Sequence, residues 1–149
     1  MEIKTEITIK ASKERIWNIL TDLEKYKNWN PFILNSEGEI KEGSRIANTM
    51  KNGQDIMKFK PVIIKVEENN YFEWLGSLWF KGVFDGRHYF KIESIGENQI
   101  TLFHGEHFSG ILSKMILKKI GKQTEENFVK MNLALKELAE NKVLEFNEK

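Results

Sequence analysis

The sequence predicts an α+β fold: a curved antiparallel sheet of seven strands wrapped around one long C-terminal helix, with two short helices after the first strand. Three observations predict it. Residues 2–10 alternate strictly, with Ile3, Thr5, Ile7 and Ile9 on one face and charged or polar residues on the other, as in a half-buried strand. Residues 32–108 are cut into short runs by turn residues at roughly hairpin spacing, which joins neighbouring strands antiparallel. From Gly110 to about Glu140 the apolar residues recur at three- and four-residue steps, the signature of one helix face. At 149 residues the chain has the size of one domain. We assign residues 1–141 to it and residues 142–149 to a polar tail expected to be poorly ordered.

The elements follow in order. Ser12 is a candidate N-cap with Glu14 in the first turn, so residues 13–20 form a short helix burying Ile16 and Leu20. Asp22 is placed to cap a second short turn through Tyr26. Pro31 disfavours helix at Asn30 and ends it. Gly38, Gly43, Gly53, the pair Asn69 and Asn70, Gly82 and Gly96 separate strands over residues 32–40, 45–51, 56–67, 71–79, 83–93 and 99–108. Pro61 cannot donate to a ladder, so it marks a bulge or an edge in the third of these. On the last helix Leu112, Met115, Ile116, Ile120, Phe128, Met131, Leu135 and Leu138 share a face, and Gly121 is a candidate kink.

Composition removes several function classes. Lys and Arg number 23 against 22 Asp and Glu, a balance that argues against a nucleic-acid partner. No run nears the roughly 18 apolar residues of a membrane helix, so stable membrane insertion is not expected, and residues 1–10 lack the apolar core of a signal peptide. With no Cys the chain has neither thiol chemistry nor disulfides, which fits the cytoplasm. Phosphate-binding Gly-rich loops and the Gly-x-Ser-x-Gly elbow are absent from the sequence, which leaves nucleotide-dependent and serine-hydrolase chemistry without support.

The layout and four strings resemble the START-related SRPBCC, or helix-grip, superfamily, and its polyketide cyclase/dehydrase branch in particular. The strings are IKASKERIWNILTD at residues 9–22, WNPF at 29–32, FDGRHYFKI at 84–92 and HGEHFSGIL at 104–112. The resemblance implies a cavity between sheet and C-terminal helix, with residues 29–32 in a loop at its rim. It implies no cofactor and no metal. The same scaffold serves carriers, enzymes and chaperone regulators, so it does not fix function.

Period two assigns the candidate site residues to faces. His88 shares a face with Phe84, Phe90 and Ile92; His104 and Glu106 share one with Leu102 and Phe108. With the apolar sets inward, His88, His104 and Glu106 point into the cavity and His107 points out, although Phe103 then falls on the outer face. A His exchanges protons near neutral pH and a desolvated Glu is shifted toward it, which would suit acid–base chemistry. The same groups also read as partners that satisfy one another or hold a ligand's polar end. Two His and a carboxylate match a facial iron site as well, but nothing in the sequence makes the three converge.

Trp29, Asn30 and Phe32 are candidate gate or ligand contacts, and equally a core plug beside a turn. Trp74 shares a face with Phe72 and Leu78 and is placed in the core or the cavity wall. Phe84, Phe90, Leu102, Phe108, Leu112 and Ile116 are the expected apolar walls. Asn48, between Ile46 and Met50, reads better as a bulge or loop residue than as an inward polar group. Lys114, Lys118, Lys119 and Lys122 read as a solvated helix face rather than a membrane contact, because Glu125 and Glu126 follow.

The leading expectation is binding or transport of a hydrophobic small molecule or lipid. The alternatives are a cyclase or dehydratase using His88, His104 or Glu106, and a protein-interaction module with an exposed apolar patch near residues 74–80 and a filled cavity. No catalytic residue is assigned, and oligomeric state is left open.

Overall fold

A computed structural model describes residues 1–141; the expected tail lies outside the described residues. Strand β1 (Glu2–Ile9) leads into helix α1 (Lys13–Thr21), a 3-10 turn (Leu23–Lys25) and helix α2 (Tyr26–Trp29). Seven strands follow: β2 (Ile33–Glu37), β3 (Ala47–Asn52), β4 (Asp55–Phe59), β5 (Val62–Glu67), β6 (Tyr71–Leu78), β7 (Phe84–Gly96) and β8 (Gln99–Ser109). Helix α3 (Ser113–Glu140) closes the fold.

Eight strands therefore replace the seven expected, and they form two antiparallel sheets, β1-β8-β7-β6-β5 and β2-β3-β4. The difference arises at Pro61, which lies between β4 and β5 and splits the expected third strand. Pro61 has no N–H to give to a ladder, but its carbonyl accepts from Ile46 N at 3.0 Å. Arg45 bridges Val62, and the next residues leave β5 to pair with β2 and β4. One extended segment thus changes sheets at the proline, which folds the small sheet over one end of the large one.

Ser12 caps α1 through its hydroxyl, which accepts from Arg15 N at 3.1 Å. Asp22 does not cap the following turn through its side chain. Its carboxylate instead lies 3.5 Å from Lys25 Nζ, and the backbone bond from Lys25 N to Asp22 O closes the turn. The helical path runs on to Trp29, and Asn30 leaves it in an extended conformation (ψ 114°) ahead of Pro31, as the proline rule requires.

Helix α3 runs as one element through Gly121, where an added side chain would meet open space. The more apolar first half is also the less covered half: Met115 is exposed, while Phe128, Met131 and Leu135 in the second half are fully buried. These three join Ile9, Ile16, Leu20, Phe72, Phe90 and Leu102 in the main core. The C-terminal end of α3 is held by α1, whose Arg15 donates to the carbonyls of Ala139 (2.7 Å) and Leu138 (3.2 Å). A cation on the last carbonyls of a helix satisfies orphan acceptors and complements the dipole.

Candidate functional site

The register of β7 on β8 places His88 opposite Glu106 and Phe90 opposite His104, while β6 sets Trp74 opposite His88. These side chains form one chain of hydrogen bonds. Glu106 Oε1 lies 3.0 Å from His88 Nδ1, and His88 Nε2 lies 2.8 Å from His104 Nε2. His104 Nδ1 lies 2.8 Å from Asn132 Oδ1 on α3. Asn132 Nδ2 donates to Thr5 Oγ1 at 2.8 Å, and Thr5 Oγ1 donates to the His104 carbonyl at 2.7 Å. Sheet and helix are thereby joined by a buried polar thread through an otherwise aromatic interior.

The surroundings are rings. Trp74 stacks on His88 with centroids 4.7 Å apart, and Phe90 and Phe128 stack on His104 at 4.4 and 4.3 Å. Burial pushes the Glu106 carboxyl up to about 8 and the His88 imidazole down to about 3. It also holds His104 well below its usual value, with His88 adding to the effect. Each shift disfavours a charge that low-dielectric rings cannot solvate.

Glu106 reaches His88 because residue 86 is glycine. A Cβ on Gly86 would lie 1.8 Å from Glu106 Oε2, so any larger residue there would displace the carboxyl.

A cavity of about 130 Å³ lies between the small sheet, the β6–β8 end of the large sheet and the first turns of α3. Phe32, Trp74, Phe84, His88, Glu106, Phe108 and Ile116, all expected at the site, line it. The half-exposed Leu78, Met57, Ile120 and Thr124 complete its outer part.

Six of the expected residues are elsewhere. Phe90 and Leu102 belong to the closed core, and His104 touches the site only through His88. Leu112 is half-buried at the start of α3, outside the lining. Trp29 packs edge-on against Tyr26 at 5.3 Å. Asn30 is buried and accepts through Oδ1 from the backbone N–H groups of Phe32 (2.9 Å) and Ile33 (2.8 Å), which makes it the residue that turns the chain into β2.

Asn48 differs from its expectation: it is buried inside β3 and lines the cavity. Its Oδ1 accepts from Ser36 Oγ at 2.5 Å, while its Nδ2 has no partner among the described residues. Met50, Met57 and Phe59 in the small sheet also line the cavity, and Thr5 and Asn132 complete the polar thread. Alternation on β3 pointed to Asn48, and a polar residue between Phe128, Met131 and Leu135 on the α3 stripe was the available signal for Asn132.

The facial iron arrangement is not formed. The two imidazoles bond each other through Nε2, and among the described residues no group of three His, Asp or Glu is placed to hold a metal ion. His107 points outward, 3.3 Å from Glu2. Phe103 does lie on the outer face, where Lys4 and Lys91 place ammonium groups over its ring at 4.8 and 5.8 Å. Trp79 and Phe80 are 66% and 77% exposed.

The family model described as polyketide cyclase/dehydrase and lipid transport matches residues 1–140. The chain belongs to this family. Solved structures resemble it along nearly its whole length. An aromatase/cyclase, Zhui, from a Streptomyces species is 14% identical, with 96% of this chain and 95% of that one aligned and a TM-score of 0.78. A START superfamily protein from Mycobacterium smegmatis is 20% identical over 93% of this chain and 97% of that one, with a TM-score of 0.70. The ginseng major latex-like protein 151 from Panax ginseng is 15% identical over 94% and 97%, with a TM-score of 0.76. At these identities the likeness shows a shared helix-grip fold. No curated protein matches the sequence. Among the described residues no helix is long and apolar enough to cross a membrane.

Proposed function

We propose that this family member binds a hydrophobic small molecule, or the end of a lipid, in the cavity between the sheets and α3. The observation that carries the reading is the lining: aromatic and aliphatic walls with a few polar side chains, of which His88 and Glu106 lie at the inner end and Thr124 in the outer part. Apolar walls supply affinity and a few placed polar groups fix orientation, which is the usual division in small-molecule sites. Phe32, Trp74, Phe84, Phe108 and Ile116 are the wall contacts, and Glu106 and His88 are the polar end. Phe90, Leu102 and His104 support them from behind.

A second reading, a cyclase or dehydratase using Glu106 as acid–base group, is favoured by one observation. A carboxyl pushed up to about 8 by burial holds its proton at neutral pH, as a general acid must. Native mass spectrometry of the protein purified from its source cells tests both readings. A co-purifying mass that leaves on denaturation supports the site. Its return unchanged after incubation favours a carrier, and its conversion favours an enzyme. A clean protein mass together with no binding of small hydrophobes refutes both.

A further inference from the structure

The polar thread has a direction, and the direction constrains the ligand. Thr5 Oγ1 lies 2.7 Å from the His104 carbonyl, and two oxygens at that distance need the hydroxyl proton between them. Thr5 Oγ1 therefore accepts from Asn132, whose amide nitrogen must face Thr5 and whose oxygen must face His104. His104 Nδ1 then carries a proton. In the neutral ring His104 Nε2 is a bare acceptor, so His88 Nε2 must donate to it. The proton of a neutral His88 is thereby used, and its Nδ1 meets Glu106 Oε1 as an acceptor. With His88 neutral, the form that its burial among aromatic rings favours, Nδ1 and Oε1 at 3.0 Å need a proton between them, and Glu106 supplies it.

The groups facing this pair are Trp74 on β6, Phe90 on β7, His104 on β8, Phe128 on α3 and Phe32 before β2, with Asn132 and Thr5 reached through His104. Of these, among the described residues, only His104 is titratable. No Lys or Arg lines the cavity among the described residues.

We infer that Glu106 presents itself to the cavity as a neutral carboxylic acid whose proton is committed to His88, so that the site selects a neutral hydroxyl-bearing hydrophobe over an organic anion or cation. The acid's free oxygen, Oε2, lies over Gly86 in the cavity wall, and no described donor reaches it. It is an acceptor for a ligand O–H. A neutral hydroxyl offers the donor that this oxygen lacks. A carboxylate meets no cation there, and an ammonium meets an acid that can ionise only by handing its proton to a buried imidazole. The raised carboxyl and lowered imidazole values agree with this protonation pattern.

This inference rests on the proposed ligand site, and three matched probes separate the two. Para-ethylbenzyl alcohol, para-ethylbenzoate and para-ethylbenzylamine share one apolar body and differ in charge at pH 7. Isothermal titration is expected to show the alcohol binding at least tenfold tighter than either ion. Equal or tighter binding of the benzoate or the amine overturns the inference and leaves the cavity reading standing. No binding of any probe overturns both. Nitrogen-15 NMR of the His side chains in the unliganded protein reads the thread directly. His88 should carry its proton on Nε2 and His104 on Nδ1, both rings neutral. The reverse tautomers, or a charged ring at pH 7, overturn the inference whatever the probes do.

Discussion

Replacing Glu106 with Gln should change how stability depends on pH, not merely its size. Burial raises the Glu106 carboxyl from 4.5 to about 8, so between those values the folded chain keeps a proton that the unfolded chain releases. Stability from this group is complete below about pH 4.5 and is lost as pH rises toward 8. His88 and His104 act in the opposite direction. Their folded values lie below the ordinary 6.5, so below about pH 6.5 the unfolded chain takes up protons that the folded chain refuses, and stability falls with acid. One group pulling down from the alkaline side and two from the acid side place the maximum near pH 6.5. From about pH 6.5 to about pH 9 the carboxyl removes about 2 kcal/mol and the two His return somewhat less than about 1 kcal/mol, a net fall of about 1 kcal/mol. In Glu106→Gln only the His contribution remains, so stability should rise by somewhat under about 1 kcal/mol over the same range and then stay level. Urea denaturation followed by Trp fluorescence at half-unit pH steps measures both curves. Parallel curves for the two proteins above pH 6.5 would refute the claim that Glu106 is held protonated.

Three further outcomes follow from the geometry. Gly86→Ala puts a methyl where Glu106 Oε2 sits; it should cost about 1–3 kcal/mol and abolish the pH-dependent fall, read from the same urea series. Arg15→Ala removes the cation on the Leu138 and Ala139 carbonyls; it should cost about 1–3 kcal/mol and speed amide exchange at the end of α3 ahead of the rest of the helix. Asn132→Leu leaves His104 Nδ1 without an acceptor and should cost about 1–3 kcal/mol. Combined with Thr5→Val it should cost less than the two single losses added, since both cut one thread, and a thermodynamic cycle on the four proteins measures the difference.

The sequence was most legible where a single period governs. Alternation along β7 and β8 placed His88, His104 and Glu106 inward and His107 outward, because a register slip would turn every one of them over. It was least legible where contacts cross between elements. That Pro61 would send its neighbours to a second sheet depends on the Ile46 N–H finding the proline carbonyl, which no local pattern encodes. The division of the apolar face into wall and core, with Phe84 and Phe108 lining the cavity but Phe90 and Leu102 closed behind it, depends on where the small sheet lands. Asn48 and Asn132 were visible only as polar residues on apolar faces. Their partners, Ser36 from β2 and Thr5 from β1, are fixed by tertiary contact.

Methionine methyl NMR tests the central claim most directly, because the side chains sample three environments. Met50 and Met57 line the cavity, Met131 is buried in the core and Met115 is exposed on α3. On adding an apolar extract of the source cells, the site account predicts saturable shifts at Met50 and Met57 with Met115 unmoved and Met131 changed little. Shifts at Met115 with Met50 and Met57 unchanged would contradict it, and would move the function from the cavity to the exposed surface.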